Sequence, residues 1–480
     1  MSNDKPVVEN IDNINTDMAH RPSSEVKDPE KSTPEAFLYD PTVERRLRLK
    51  IDFAIVPTVS LLYLFCFIDR ANIGNARIAG LEKDLGMTGY DYNGTLSVFY
   101  ISYIIFEIPS NILCKIMGPG WFIPLITVLF GICSVGTAFV HTVPQTMAIR
   151  FLLGIFEAGM MPGIAYYLSR WYRRAELAFR LLPGFGSVHS WRMIFAIEGI
   201  ITIGLGLIGF FTLTDRPASA KWLTEAEKEL AESRVRSERV GQSQVLDKID
   251  TLKLRRGILC PITLSTSFVF LLNNVTVQGL AFFLPTIVRG IYPNSSVERQ
   301  QLYTVPPYVV GAFFTVLLPL LSWRLDRRQI FFIMSAPLAM VGYIMFLASK
   351  SLQVRYGATF LITSAVFALG ALTNAQASAN VVSDTARSSA IGTNVMFGNI
   401  GGLISTWAFL PWDGPNYPIG NGLNLATCTT ILITSTVTLW WMKRDNRRRE
   451  GLIVEDELRG MTPEDEGELD WKHPSFRWRP

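Results

Sequence analysis

Residues 214–257 read TDRPASAKWLTEAEKELAESRVRSERVGQSQVLDKIDTLKLRRG, and residues 258–284 continue ILCPITLSTSFVFLLNNVTVQGLAFFL. The first stretch is dense in Lys, Arg, Asp and Glu; the second holds none of them over 27 residues. About 20 apolar residues suffice to cross a bilayer as a helix. Comparable runs recur on both sides, at 51–72, 94–116, 121–140, 146–168 and 192–213 before the charged stretch. After it come 302–322, 329–348, 356–376, 388–410 and 422–442. That makes eleven spans, so the chain reads as an all-α polytopic membrane protein. Composition agrees: 49% of the residues are hydrophobic and the mean hydropathy is +0.25, unusual for a soluble chain of 480 residues.

Other classes lack their chemistry. A net charge of +4 gives no basis for nucleic-acid binding. His20, His141, His189 and His473 are scattered, so no metal, cofactor or enzymatic constellation is visible. The five cysteines, Cys66, Cys114, Cys133, Cys260 and Cys428, lie in or beside apolar segments and read as small buried residues. Residues 1–43 are polar and read as a disordered cytosolic tail with no signal-peptide pattern.

Basic residues orient the spans, because cytoplasmic connections collect Lys and Arg. Arg45, Arg46, Arg48 and Lys50 precede the first span, and Arg170, Arg173, Arg174 and Arg180 follow the fourth. The 214–257 linker, Arg324, Arg327 and Arg328, and the run from Lys443 to Arg449 also belong to the cytosol. Connections 141–145 and 411–421 carry no Lys or Arg and suit the outer side, where Asn294-Ser295-Ser296 is a weak glycosylation sequon. Six spans (258–442) between two basic segments are self-consistent. The five spans of 44–213 are not, because they would put the linker outside. The failure falls at 181–190, ten residues broken by Pro183, Gly184 and Gly186. A helix of that length cannot cross a core of about 30 Å. Either this stretch is re-entrant or a fifth helix is lost; six plus six with one missing is the simplest description. Residues 443–480 then form a cytosolic tail.

Ionisable side chains inside a span are costly and face a cavity or a partner. Asp69 and Arg70 sit near the outer end of the first span, deeper if Ala71–Ala79 continues the helix. Glu107 shares a helix face with Tyr103 and Asn111. Arg150 and Glu157 are two turns apart on one face of the fourth span. Each also has a packing interpretation: an interfacial pair, a loop contact, a static charge network. Glu198 reads as lying near the cytosolic interface, by its closeness to Arg192. The later spans offer only amides: Asn273, Asn274, Gln278, Asn374, Gln376, Asn394 and Asn399. A carrier that couples protons to an anion needs a cation for the substrate and a carboxylate that titrates; the first half has both.

These residues also carry a family likeness. Asp69-Arg70-Ala71-Asn72-Ile73-Gly74-Asn75-Ala76, Glu107-Ile108-Pro109-Ser110-Asn111, and Arg150-Phe151-Leu152-Leu153-Gly154 with Glu157-Ala158-Gly159 resemble blocks of the anion:cation symporter family of major facilitators. Thr304-Val305-Pro306-Pro307-Tyr308, Gly398-Asn399-Ile400-Gly401-Gly402 and Arg444-Asp445-Asn446-Arg447 fit the same pattern, and the likeness covers about 42–450. It is nearest the fungal allantoate permease-like branch. The resemblance implies a major facilitator fold of two six-helix halves in the plasma membrane, moving a small organic anion with protons. It implies Asp69 and Glu157 as proton carriers, with Glu107 a further candidate from the residues themselves. It implies Arg70 and Arg150 as organisers of the anion site, lined by Tyr103 and Asn399. Family members carry a fifth helix between the blocks ending at Arg180 and starting at Trp191; here only a short linker stands there. A nutrient sensor on the same scaffold, or an inactive product lacking that helix, are the competing expectations.

Overall fold

The computed structural model describes residues 41–169, 171, 191–237, 251–414, 416–460 and 469–480. The described residues form helices and connections, with no strand among them. The helices are α1 (Pro41–Ala76), α2 (Asp91–Met117), α3 (Pro119–Thr137), α4 (Val143–Glu157), α5 (Met160–Ser169) and α6 (Trp191–Thr212). The linker contributes α7 (Glu225–Ser237) and α8 (Thr251–Ile258). Six more follow: α9 (Pro261–Ile291), α10 (Val297–Leu325), α11 (Gln329–Ala348), α12 (Leu352–Ala379), α13 (Asp384–Thr406) and α14 (Pro418–Glu450).

Local sequence sets these boundaries. Pro119, Pro261 and Pro418 each open a helix, where a missing N–H costs nothing. Thr142, Ser296 and Ser383 cap α4, α10 and α13 by accepting a backbone N–H three residues on. Gly118 separates α2 from α3 at φ 85°, a left-handed value that a side chain resists. A Cβ there would also meet the Asp215 carboxylate. α4 and α5 form one bent span, broken after Glu157, where Gly159 lets the backbone approach the Phe122 ring.

Ten helices are long and apolar enough to cross a membrane, α4 and α5 counting as one. The remaining expected span, 388–410, is a helix of 23 residues here, α13, but is too polar to be counted with them. Its Thr, Ser and Asn side chains are instead buried against protein: α13 packs on α2, α9 and α12 rather than presenting an apolar surface. A hydropathy test suits helices that face lipid, not one walled in by neighbours.

The helix ends fix the topology. α1 does not stop near residue 72; it continues to Ala76 and through a π turn at Arg77–Leu81 to Asp84. Trp191 donates its indole N–H to Asp84 Oδ2 (2.9 Å), and Arg192 donates to the carbonyls of Ala138 and Val140. Thus α6 starts at the same end as the α1 and α3 C-termini, the end opposite the basic connections. Its other end leads to Asp215, which accepts from the Gly120 N–H (3.5 Å) beside Gly118. Glu198 is therefore seven residues into α6 from the far end, not near the basic one; Arg192 is a cap on α3, not a cytosolic anchor. Trp171, stacked on linker residue Trp222 at 5.7 Å, marks the basic end of the α4–α5 span. Trp171 and Trp191 thus stand at opposite ends of the helices. The lost or re-entrant helix expected at 181–190 lies outside the described residues.

α3 and α6 pack closely through Gly131, Gly199 and Gly206, whose absent Cβ atoms leave room for the partner backbone. The late helices gather around a core of Leu284, Val288, Tyr343, Ile362 and Cys428. Residues 469–480 return to their basic end. Trp478, 2% exposed, enters a cluster with Cys260, Val381 and Met442. Its backbone exchanges two hydrogen bonds with the Asn446 side chain (2.8 and 2.9 Å). Asp470 accepts from the Val382 and Ser383 N–H groups at the start of α13 (2.9 Å each).

Candidate functional site

A cavity of about 470 Å³ lies between the early helices α1, α2 and α5 and the late helices α9, α10, α12 and α13. Its early wall carries Tyr63, Phe67, Arg70, Asn72 and Tyr103. Its late wall carries Asn273, Asn274, Gln278, Tyr308, Phe367 and Asn399. Among the described residues, Arg70 is the one charged side chain in this lining. The late wall is amide and aromatic, with Tyr308 stacked on Phe367 at 5.6 Å.

Helical spacing builds the early wall. Tyr63, Phe67 and Arg70 fall at i, i+4 and i+7 of α1 and so share a face. Arg70 donates its Nε–H to Glu157 Oε2 at 2.6 Å. Its guanidinium lies over the Tyr103 ring, 4.8 Å from the centroid, and 5.5 Å from that of Phe99. Glu157 is fully buried behind Arg70, at the last turn of α4 before the bend. Cys66, one turn before Arg70, donates its S–H to the same Oε2 (3.4 Å) and accepts from Arg70 Nη2 (3.6 Å).

A second pair stands deeper. Arg150 Nη1 is 3.8 Å from Asp69 Oδ2, with exposures of 3% and 2%. Ser134 donates to Asp69 Oδ1 at 2.7 Å, and the Arg150 guanidinium lies 5.4 Å from the Phe195 centroid. Arg150 Nε and Nη2 have no hydrogen-bond partner among the described residues. Asn72 donates to Glu198 Oε2 at 2.5 Å, joining α1 to α6.

The pairing is crossed relative to the spacing. Arg150 and Glu157 share a face of α4, yet each takes its partner from α1, where Asp69 and Arg70 are adjacent and point to different neighbours. Of the residues expected to meet a substrate, Arg70, Tyr103 and Asn399 line the cavity; Arg150 is not among its lining. Of the expected proton carriers, Glu157 sits directly behind Arg70, Asp69 belongs to the deeper pair, and Glu107 bridges to the late helices. Asn399 Nδ2 donates to Glu107 Oε2 at 3.2 Å, and Glu107 Oε1 has no partner among the described residues.

Taken singly, neither Ser134 nor Tyr63 stands out in the sequence, and Cys66 reads there only as a small buried residue. Cys66 and Tyr63 carry a usable signal, one and two turns before Arg70; Ser134 carries none, because only the α1–α3 contact brings it to Asp69. Among the described residues no group of three or more His, Cys, Asp or Glu is placed to hold a metal ion. The arrangement instead offers a guanidinium that faces both a cavity and a buried carboxylate, which can exchange one anionic partner for another.

The chain matches the profile of the Major Facilitator Superfamily over residues 59–182 and 177–406, two stretches that meet where the charge parity fails. An uncharacterized transporter of Schizosaccharomyces pombe is 30% identical over 476 residues, covering 94% of this chain and 93% of the relative. The high-affinity nicotinic acid transporter of Saccharomyces cerevisiae is 28% identical over 458 residues, 91% of this chain and 85% of that protein. Among solved structures, a bacterial homolog of the human lysosomal transporter Spinster superposes with a TM-score of 0.55 at 16% identity. It covers 81% of this chain and 96% of its own, a likeness of fold alone.

Proposed function

Because this chain belongs to the Major Facilitator Superfamily and is a multi-pass membrane transporter rather than an enzyme, we propose that it couples protons to the uptake of a small organic anion, as a plasma-membrane symporter. The observation that carries this reading is Arg70. It is the single charge in the cavity lining among the described residues, and it is held at 2.6 Å by a carboxylate that is not part of that lining. One cation suits a monocarboxylate, whose two oxygens match the guanidinium fork. The amide and aromatic wall suits a neutral, planar remainder. The nicotinic acid transporter among the relatives makes nicotinate the first probe.

The coupling follows from the exchange. A proton from the entry side neutralises Glu157 and loosens its hold on Arg70. Arg70 turns its donors to the substrate carboxylate, over the Tyr103 ring. After the site opens to the other side the substrate leaves, Glu157 gives up the proton, and the pair re-forms. Burial favours the neutral form of a carboxyl group and a neighbouring guanidinium favours the charged one, so moving Arg70 is itself the switch. Asp69 is the second proton site, with Arg150 holding it from behind. Asn399 lines the site and, through Glu107, ties it to α2.

Proteoliposomes under an acid-outside gradient test this with labelled nicotinate and a panel of small mono- and dicarboxylates. Wild type should concentrate at least one monocarboxylate, and collapse of the gradient should abolish accumulation. Glu157→Gln should lose uphill accumulation but keep exchange of internal for external substrate; Arg70→Gln should lose both. Accumulation of a substrate by Glu157→Gln in response to external acid would remove Glu157 as the coupling site. No uptake of any anion would favour an inactive or sensory protein.

A further inference from the structure

We propose that Cys66 is a positioning residue for coupling: its thiol steadies Glu157 as the proton arrives and Arg70 lets go, and sets the pH at which Glu157 takes up that proton. The proposal rests on the reading of Glu157 as the proton carrier and adds a residue to it. Among the described residues, Glu157 receives hydrogen bonds only from Arg70 and Cys66, both on Oε2. Its Oε1 has no partner, and the residue is fully buried. When Arg70 turns to the substrate, Cys66 is the one hydrogen-bond partner left to Glu157 among the described residues.

A thiol is a weak donor and a weak acceptor. It can steady the carboxylate without matching the charge-assisted bond that Arg70 supplied. A proton arriving at Glu157 forms the carboxylic O–H, and the local hydrogen bond can then reverse, Glu157 donating to the Cys66 sulfur. One proton is gained, no electron moves, and the sulfur stays a thiol throughout. A hydroxyl in this place would hold the charged carboxylate more firmly, and a methyl would not hold it at all. The native thiol lies between the two.

Other groups surround Glu157. They are Tyr63, Asp69 and Arg70 on α1, Tyr100 on α2, Cys133 on α3 and Glu198 on α6, with Tyr103 on the far side of Arg70 and Arg150 two turns earlier on the same helix as Glu157. Apart from Arg70, none of these donates a hydrogen bond to it. They set the background field, which stays the same when Cys66 alone is changed.

Infrared difference spectroscopy of the purified full chain in lipid, titrated with pH and without substrate, tests the proposal. The S–H stretching band of Cys66, assigned by its loss in Cys66→Ala, falls in a window clear of other protein absorption. The carboxylic C=O band of Glu157 is assigned by its loss in Glu157→Gln. The two bands should change together, with one midpoint. Cys66→Ser should move the Glu157 midpoint to lower pH and Cys66→Ala to higher pH, the two lying on the order of one pH unit apart. A Glu157 band that titrates at the same midpoint in all three proteins, or a wild-type S–H band that stays still while Glu157 titrates, overturns the role of Cys66 alone. A Glu157 band that does not titrate overturns the reading of Glu157 and this inference with it. Either substitution at Cys66 removes the S–H band and so assigns it, so one poorly folding variant does not remove the test.

Discussion

Replacing Arg150 with Gln and Asp69 with Asn, singly and together, separates the two buried pairs by their response to pH. The charged atoms of the deeper pair are 3.8 Å apart. At an effective dielectric of about 20 that separation is worth about 4 kcal/mol, and breaking one side of a buried pair costs about 3–5 kcal/mol. The two single variants are not equivalent. In Arg150→Gln the stranded Asp69 can escape by binding a proton. From a reference value near 3.9, that escape costs about 4 kcal/mol at pH 7 and about 1.5 kcal/mol at pH 5. The folded variant then holds a proton that the unfolded chain does not, so its stability rises as pH falls. In Asp69→Asn the stranded Arg150 has no such route, because a guanidinium does not deprotonate. Its loss should be about 4 kcal/mol at both pH values. The double variant should fall short of the summed losses at pH 7 by roughly 3–4 kcal/mol. Reversible unfolding in mixed detergent micelles at pH 7 and pH 5 gives all four numbers. Losses that add to within about 0.5 kcal/mol, or an Arg150→Gln loss that does not shrink at pH 5, would refute the pairing.

Gly154 stands where a Cβ would meet Ser102 Oγ and the Phe99 carbonyl. Gly154→Ala should cost about 1–3 kcal/mol by forcing α2 from α4, seen as a lower thermal midpoint; an unchanged midpoint contradicts that contact. Trp478 covers Cys260, which is 0% exposed. Trp478→Ala should let a maleimide added from the basic side label Cys260, which wild type resists; equal labelling of both would mean that the segment is not seated there. Lys50 donates to Glu227 at 2.7 Å and holds its carboxyl below the usual carboxylate range. That contribution to α7 is complete above the unfolded value of about 4.3 and is lost as pH falls through the lower folded one. Hydrogen exchange of α7, corrected for its intrinsic pH dependence, should therefore stay level from pH 8 to pH 5. It should rise only below about pH 4, and Lys50→Gln should raise it at neutral pH.

The spans were legible because lipid-facing helices must be apolar along their length; their ends were not, because Ser296 and Ser383 start α10 and α13 several residues before the apolar runs at 302 and 388. α13 shows where this stops: its buried Asn394, Asn399 and Thr406 depress its hydropathy for the same reason that they matter. The buried charges were legible as a set, since any ionisable residue in a span needs a partner. Their pairing was not. Asp69 and Arg70 are neighbours in sequence and diverge about 100° around α1, so which meets Arg150 and which meets Glu157 depends on how α1 is rotated against α4. Glu198 was misplaced because Arg192 looks like a cytosolic charge, and only its bonds to the Ala138 and Val140 carbonyls reveal a helix cap. The amides of the late wall were visible individually, but nothing in a linear sequence says that α9, α12 and α13 turn them toward one cavity.

The bond between Glu107 and Asn399 joins residues 292 positions apart, and that from Asn93 to the Thr406 carbonyl spans 313. Ribosomes add roughly 5–20 residues per second, so α2 is made some 15–60 s before the helix that satisfies it. Throughout that interval Asn93 and Glu107 face a partner that does not yet exist, inside or beside a membrane that offers them none. The early helices must therefore be held by a waiting arrangement different from the final one: water, lipid headgroups or an insertion factor must stand in for α13. Slowing synthesis between α6 and α13 lengthens this exposure without changing a single residue of the finished protein. Folding yield should then depend on the rate of translation through the linker, even among messages that encode the same chain.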